Sequence, residues 1–272
     1  MSGYQATRQI GLIGTGWIGS TIAQAIDCGK VQARLVAVSD VNPESAYQLV
    51  ETLQFKPTIV GIAELIDIAE LVIEAAGPAS LASIVPACIS RKRDLVVLSV
   101  GGLAARPEWL EAAQKSGTKI YCPSGAVAGL DAVKAARVGR IDSITITTRK
   151  APRSFAGSPF VNQSGIDLDA IRSPQVLFSG TAAEACKLFP ANVNVAASLS
   201  LAGLGLAHTK ATVIADPSAD RNIHEIEVIG EFGRLRTLVE NVPSENARTS
   251  KLAAFSAIAL LQELTGSLRV GT

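Results

Sequence analysis

Apolar and polar positions keep one rhythm through the first half of this chain and another afterwards. Up to about residue 122, short apolar runs alternate with stretches whose apolar residues recur every three or four positions. The runs are 9–14, 34–40, 58–60, 70–76, 94–100 and 118–122, and helix-like segments lie between them at 18–28, 43–53, 62–68, 80–91 and 106–116. Runs that are apolar throughout, rather than at alternate positions, belong to strands buried on both faces, as in parallel sheets covered by helices. Pro43 and Pro107 suit first helical turns, and Asn42 suits the N-cap before one of them. The pattern predicts an α/β, doubly wound parallel sheet.

Beyond Cys122 the spacing predicts a helix over 126–138 and a half-exposed, alternating strand over 142–150. Residues 151–165 are rich in Pro, Gly and Ser and read as a loop. Helical stretches follow at 181–188 and 192–204, then a strand-like run at 209–217. Residues 224–241 read as a β-hairpin turning near Phe232-Gly233. The expectation is a second, α+β domain with an open mixed sheet, mostly antiparallel. The apolar helix at 250–265 is expected to return to the first domain. The domains are therefore placed at 1–122, completed by 245–272, and at 123–244.

Composition narrows the function classes. Hydrophobic residues are 48% and aromatics 4%, which suits packed α/β layers. The 25 basic and 24 acidic residues are interspersed, so nucleic acid is not an expected partner. No leader pattern or membrane-length apolar run is evident, and a cytoplasmic location is expected. Cys28, Cys88, Cys122 and Cys186 are scattered without metal-ligand spacing, which suits free thiols in a reducing compartment and no metal.

Gly14-Thr15-Gly16-Trp17-Ile18-Gly19 is a G-x-G-x-x-G placed between the first strand and the first helix. In that context it implies a dinucleotide site. Gly14 permits the turn, Gly16 lets a pyrophosphate approach the backbone, and Gly19 lets helix and sheet pack closely. The amide groups through Trp17 and Ile18 and the positive end of the helix dipole face the phosphates. Asp40 ends the second strand, where a carboxylate accepts from the adenosine ribose hydroxyls. A 2′-phosphate there would meet repulsion of roughly 3 kcal/mol per charge pair at ~5 Å and an effective dielectric near 20. No Lys or Arg directly follows, so NAD is expected over NADP. Ala75, Ala76 and Gly77 after the fourth strand are small enough to line a cofactor crevice, and residues 99–104 hold the equivalent place after the fifth.

The second half offers fewer chemical groups. His224 shares a strand face with Ile226 and Val228 and so points into an apolar layer or a cleft wall. That pattern alone suits a core histidine as well as a functional one. His208 lies near an element boundary and reads as structural. Ser124, Gly125 and Ala126 just precede the expected helix and offer amide donors for a carboxylate or a carboxamide. Asn192 and Asn194 open an apolar helix, as caps or as ligands. Arg149, Lys150 and Arg153 are the basic residues nearest the long loop.

The glycine block, CPSGAVAGLDA at 122–132, TRKAP at 148–152, FPANVNVAASLSLAG at 189–203, ADPSADRNIHEIEVIGEFG at 215–233 and VPSENARTSKLAAFSAIALL at 242–261 together resemble the L-aspartate dehydrogenase family. FPANVNVA and NIHEIEV are the most specific of these. The resemblance implies a Rossmann domain with a dimerising α/β domain. It also implies NAD(P)-dependent oxidation of L-aspartate to iminoaspartate, then oxaloacetate and ammonia, with reductive amination as the reverse and a link to NAD biosynthesis. It places the active-site histidine at His224 and further cofactor contacts at Ala126 and Asn192. Ser124, Gly125, Asn192 and Lys150 are the expected substrate contacts. The competing readings are another two-domain dehydrogenase of small amino or oxo acids, or a protein that senses NAD without catalysis. A polyol-type enzyme would carry a lysine motif where this chain has SVGGLA at 99–104.

Overall fold

The structure, a computed structural model, describes residues 8–190, 193–244 and 249–271. In chain order it runs β1 (Arg8–Ile13), α1 (Trp17–Asp27), β2 (Ala33–Ser39), α2 (Pro43–Thr52), β3 (Thr58–Ile59), α3 (Ile62–Ile68), β4 (Leu71–Glu74), α4 (Leu81–Ser90), β5 (Asp94–Val97), α5 (Val100–Ala104), α6 (Pro107–Ser116) and β6 (Ile120–Tyr121). Then follow α7 (Leu130–Ala136), β7 (Ile141–Lys150), α8 (Pro159–Ser164), β8 (Gln175–Thr181), α9 (Ala182–Leu188), α10 (Asn194–Ala202), β9 (Thr209–Ala215), β10 (Asn222–Gly230), β11 (Gly233–Asn241) and α11 (Lys251–Thr265).

Two units emerge. The first takes residues 1–99, 106–123 and 256–269, and the second takes 100–105, 124–255 and 270–272. Residues 100–105 thus cluster with the second unit although they follow a strand of the first.

The first unit holds a parallel six-stranded sheet in the order β3-β2-β1-β4-β5-β6. The order reverses between β1 and β4, so the loops after those two strands lie side by side. All four residues of β4 are buried, as expected for an inner strand. Its core joins Ile10, Leu12, Ile22, Val38, Leu49, Leu71, Ile73 and Val96 to Ala257 and Leu261 of α11. Asn42 caps α2 by accepting from the Glu44 amide, and Pro43 occupies the first turn.

The second unit holds a mixed sheet in the order β11-β10-β7-β9-β8, parallel only between β7 and β9. One face is buried: Ile144, Ile146, Thr148 and Lys150 from β7, Ala211, Val213 and Ala215 from β9, and Asn222, His224, Ile226 and Val228 from β10. Helix α10, buried at every position from Val195 to Ser200, packs on α5, α7, α9 and β9. The hairpin turns at Glu231 and Phe232, between paired Gly230 and Gly233.

Four local expectations change. The helix expected over 126–138 is only α7, because Gly125 and Gly129 adopt left-handed φ values of 69° and 84° and delay it. Strand β8 was not expected: it is an edge strand with little burial contrast and a register shift between Val176 and Phe178. Residues 100–104, expected to line the crevice after the fifth strand, form the short helix α5. The expected 151–165 loop contains a 3-10 turn and α8, capped by Ser158 and anchored by Phe155 stacked edge-on against Phe189 at 5.9 Å.

Candidate active site

Gly14 and Gly19 have the packing expected of them in a strand-to-helix turn. A Cβ on Gly14, at φ 95°, would fall 2.5 Å from the Ala75 carbonyl. A Cβ on Gly19 would fall 2.0 Å from the Gly14 oxygen. Both glycines are demanded by the protein's own packing. Gly16 is different: its φ is −64°, and a Cβ there would meet nothing within 4 Å. The protein's own packing therefore places no demand for glycine at Gly16. Gly16 also occupies the N-cap of α1 without any side-chain cap, and half-buried Trp17 and Ile18 form the first turn.

Asp40 is drawn into this turn. Its Oδ2 accepts from the Thr15 amide at 2.7 Å and the Thr15 hydroxyl at 2.9 Å, and its Oδ1 accepts from the Asn42 amide at 2.9 Å. Burial alone would raise its pKa, but the hydrogen bonds from Asn42 and Thr15 together outweigh burial and hold it below the usual value. Asp40 is thus a firm negative charge beside the glycine turn. Ala75 packs over Gly14, while Ala76 is exposed and Gly77 stands at φ 97°.

In the second unit, β10 and β7 pair antiparallel with His224 opposite Thr148. Nδ1 of His224 lies 3.0 Å from the Thr148 hydroxyl, with both residues buried. Burial first, and the Lys150 charge second, push the imidazole pKa down to about 3. Burial thus favours the neutral ring over one that titrates near neutrality. Burial pushes the Lys150 pKa down to about 8. Arg149 points to the opposite face and pairs with Asp216 at 2.9 Å, and Arg153 is exposed. Of the three basic residues nearest the long loop, only Lys150 shares the histidine's buried face.

Ser124 and Gly125 are half-buried, and Ala126 is buried in a turn rather than at a helix N-terminus. Nδ2 of Asn241 donates to the Ala126 carbonyl at 2.9 Å, and Asn241 faces Asn222 in the β10–β11 register. This ties the 124–126 turn to the strand end that carries His224. Asn194 does not cap its own helix; its Oδ1 accepts from the Gly101 amide at 3.0 Å. Asn192 lies outside the described residues. His208 is exposed.

Known proteins match this chain end to end. It is 48% identical over 269 residues to an L-aspartate dehydrogenase of Methanocella arvoryzae, covering 97% of this chain and 99% of that one. It is 41% identical over 264 residues to the L-aspartate dehydrogenase of Bradyrhizobium diazoefficiens, covering 97% and 94%. The chain belongs to the L-aspartate dehydrogenase family. The family model "Aspartate dehydrogenase, C-terminal" matches residues 131–264, the region holding Lys150 and His224. A second family model, "Homoserine dehydrogenase, NAD binding domain", matches residues 14–123. The fold agrees with a crystal structure of aspartate dehydrogenase from Thermotoga maritima, at a TM-score of 0.73 and 22% identity, covering 97% of this chain and 99% of that one.

Three polar residues in this family member were not singled out by sequence reasoning. Thr148 had a signal, since strand alternation puts it on the same face as Lys150 two residues on. Glu74 had one as well: an acid closing an otherwise apolar inner strand. Asn241, at a hairpin end, had none. Among the described residues no helix is long and apolar enough to cross a membrane, and no three His, Cys, Asp or Glu side chains are grouped to hold a metal.

Proposed function

We propose that this protein oxidises L-aspartate to iminoaspartate with a nicotinamide cofactor, that water then yields oxaloacetate and ammonia, and that the same site runs the reductive amination. The observation that carries this reading is the cluster of His224, Thr148 and Lys150, buried together on one sheet face, in a member of this family. When bound, the nicotinamide supplies the hydride acceptor. Gly14, Gly16, Trp17, Ile18 and Gly19 hold its pyrophosphate, Ala75, Ala76 and Gly77 line its path, and Ala126 and Asn192 are carried over from the resemblance.

The substrate's amine must be neutral before a hydride leaves Cα. His224 accepts that proton if Nδ1–H donates to Thr148 and Nε2 is left as the acceptor. The two carboxylates of the substrate beside the ring favour the imidazolium, so substrate binding raises the proton affinity of His224. Lys150 supplies a buried cation for one carboxylate, and Ser124 with the Gly125 backbone receives the other.

NAD is proposed as the preferred cofactor over NADP. The Asp40 carboxylate supports this, since it repels a ribose 2′-phosphate. A homodimer and a supply of iminoaspartate to NAD biosynthesis are proposed from the resemblance, and a cytoplasmic location from the free thiols Cys28, Cys88, Cys122 and Cys186, which fit a reducing compartment.

The test is NADH oxidation with oxaloacetate and ammonium, with pyruvate, 2-oxoglutarate and aspartate semialdehyde as controls. Turnover confined to oxaloacetate plus ammonium is the expected result. NADH binding without such turnover would remove the aspartate assignment.

A further inference from the structure

We propose that Glu74 is the positioning residue of the cofactor site: its carboxylate fastens the loops after β4 and β5 to each other and holds Ala75–Gly77 against the glycine turn. The inference rests on the dinucleotide reading above. The side chain of Glu74 is fully buried. Its Oε1 accepts from the Ala76 amide at 3.0 Å, the Gly77 amide at 2.8 Å and the Ser99 hydroxyl at 2.9 Å. Its Oε2 accepts from the Ser99 amide at 3.0 Å. Every partner is a donor, and three are backbone N–H groups of the two loops at the carboxyl ends of adjacent strands.

The placement reaches the glycine turn directly. The Ala75 amide donates to the Ile13 carbonyl at 2.8 Å, and the Ala75 carbonyl sits where a Gly14 Cβ would be. A shift of Ala75–Gly77 therefore moves the surface against which Gly14 turns. In an open doubly wound sheet this is the crevice where the ligand lies.

Energetics support a role other than holding the sheet together. The three preceding residues of β4 are Leu71, Val72 and Ile73, all fully buried, and a fourth apolar residue would extend that packing without desolvating a carboxylate. What an apolar side chain would not supply is acceptors for the Ala76, Gly77 and Ser99 amides. Left unpaired, those loops would rearrange to reach other partners. Burial raises the pKa of Glu74, while the hydrogen bonds from Ser99, Gly77 and Ala76 oppose that rise. The carboxylate is thus retained at a cost that the loop geometry accounts for.

The experiment titrates NADH fluorescence in the wild type, Glu74→Gln and Ser99→Ala, and measures the rise in melting temperature that NAD produces in each. In Glu74→Gln an amide NH2 must face at least one N–H or O–H donor, so the loops lose their common anchor. The expected result is an NADH Kd raised at least tenfold, a smaller NAD-induced rise in melting temperature, and a KM for aspartate within about twofold of wild type. A residue that merely stabilised the fold would lower the melting temperature while leaving the Kd and the NAD-induced rise in place, and that outcome overturns the inference. If Glu74→Gln does not fold, Ser99→Ala decides: a Kd raised about threefold supports the inference and an unchanged Kd overturns it. If the wild type itself fails to bind NADH, the dinucleotide reading has failed, which is a separate result from unchanged binding in the variants.

Discussion

The Thr148 hydroxyl stands 3.0 Å from Nδ1 of His224, directly across a pair of antiparallel strands. A ring nitrogen held this way fixes the orientation of the other, which in the proposed mechanism takes the substrate's proton. Thr148→Val keeps the shape and removes the partner. A loss of ten- to a hundredfold in kcat/KM for aspartate is expected, in line with about 1–3 kcal/mol for a buried partner left unsatisfied. Thr148→Ser should recover most of it. Steady-state kinetics on the two variants, with NADH binding as a control, checks the assignment.

His224→Ala is expected to lower turnover at least a hundredfold, near the lower end of what general acid–base groups contribute, while NADH binding stays within about twofold. The same residue sets an acid limit on stability. Its folded pKa of about 3 lies below the ordinary 6.5, so between those values the unfolded chain binds more protons. Stability is then lost as pH falls through that window. From pH 7.5 to pH 5 the loss attributable to His224 is about 2 kcal/mol by linkage. Urea unfolding at both pH values should show a shallower drop in His224→Gln than in the wild type; parallel drops would contradict the burial argument.

Lys150 runs the same logic on the alkaline side. Its folded pKa of about 8 is below the ordinary 10.5, so its cost is fully present below about pH 8 and fades as pH rises toward 10.5. Lys150→Met should flatten the stability profile over that range. It should also raise the KM for aspartate more than tenfold. An unchanged KM would remove Lys150 from the substrate site.

Asp40→Ala should weaken NAD and shift the NAD-to-NADP affinity ratio toward NADP at least tenfold, because the carboxylate that repels a 2′-phosphate is gone. Thr15 loses its partner in the same variant. The ratio, rather than the NAD affinity alone, is therefore the informative measurement.

Two glycines in one motif should respond in opposite ways. Gly19→Ala places a methyl 2.0 Å from the Gly14 oxygen and is expected to lower the melting temperature sharply. Gly16→Ala meets no protein atom within 4 Å and should melt like the wild type, yet bind NADH at least tenfold more weakly. Calorimetry and fluorescence titration on the pair separate packing from ligand approach.

Much of this was legible in the sequence. Continuous apolar runs revealed the inner strands of the parallel sheet, and alternation on 224–228 put His224 on the buried face alongside Ile226 and Val228. Glycines in left-handed conformation were the chief source of error, since Gly125 and Gly129 interrupt what periodicity alone reads as helix. Edge strand β8 lacked the alternation that betrays a half-buried strand. Electrostatic environment was the least legible property. The neutral state of His224 arises from burial and from Lys150, which is distant in sequence and becomes a neighbour only when β7 and β10 pair.

Helix α11 supplies Ala257 and Leu261, both fully buried, to a core whose other members come from the first hundred residues. During synthesis the nucleotide-binding half therefore emerges early but stays incomplete until α11 arrives. Ile10, Leu12 and Ile22 wait for a lid that is translated more than two hundred residues later. A ribosome stalled before α11 should display a half that is open to proteases and chaperones and closes on release of the chain.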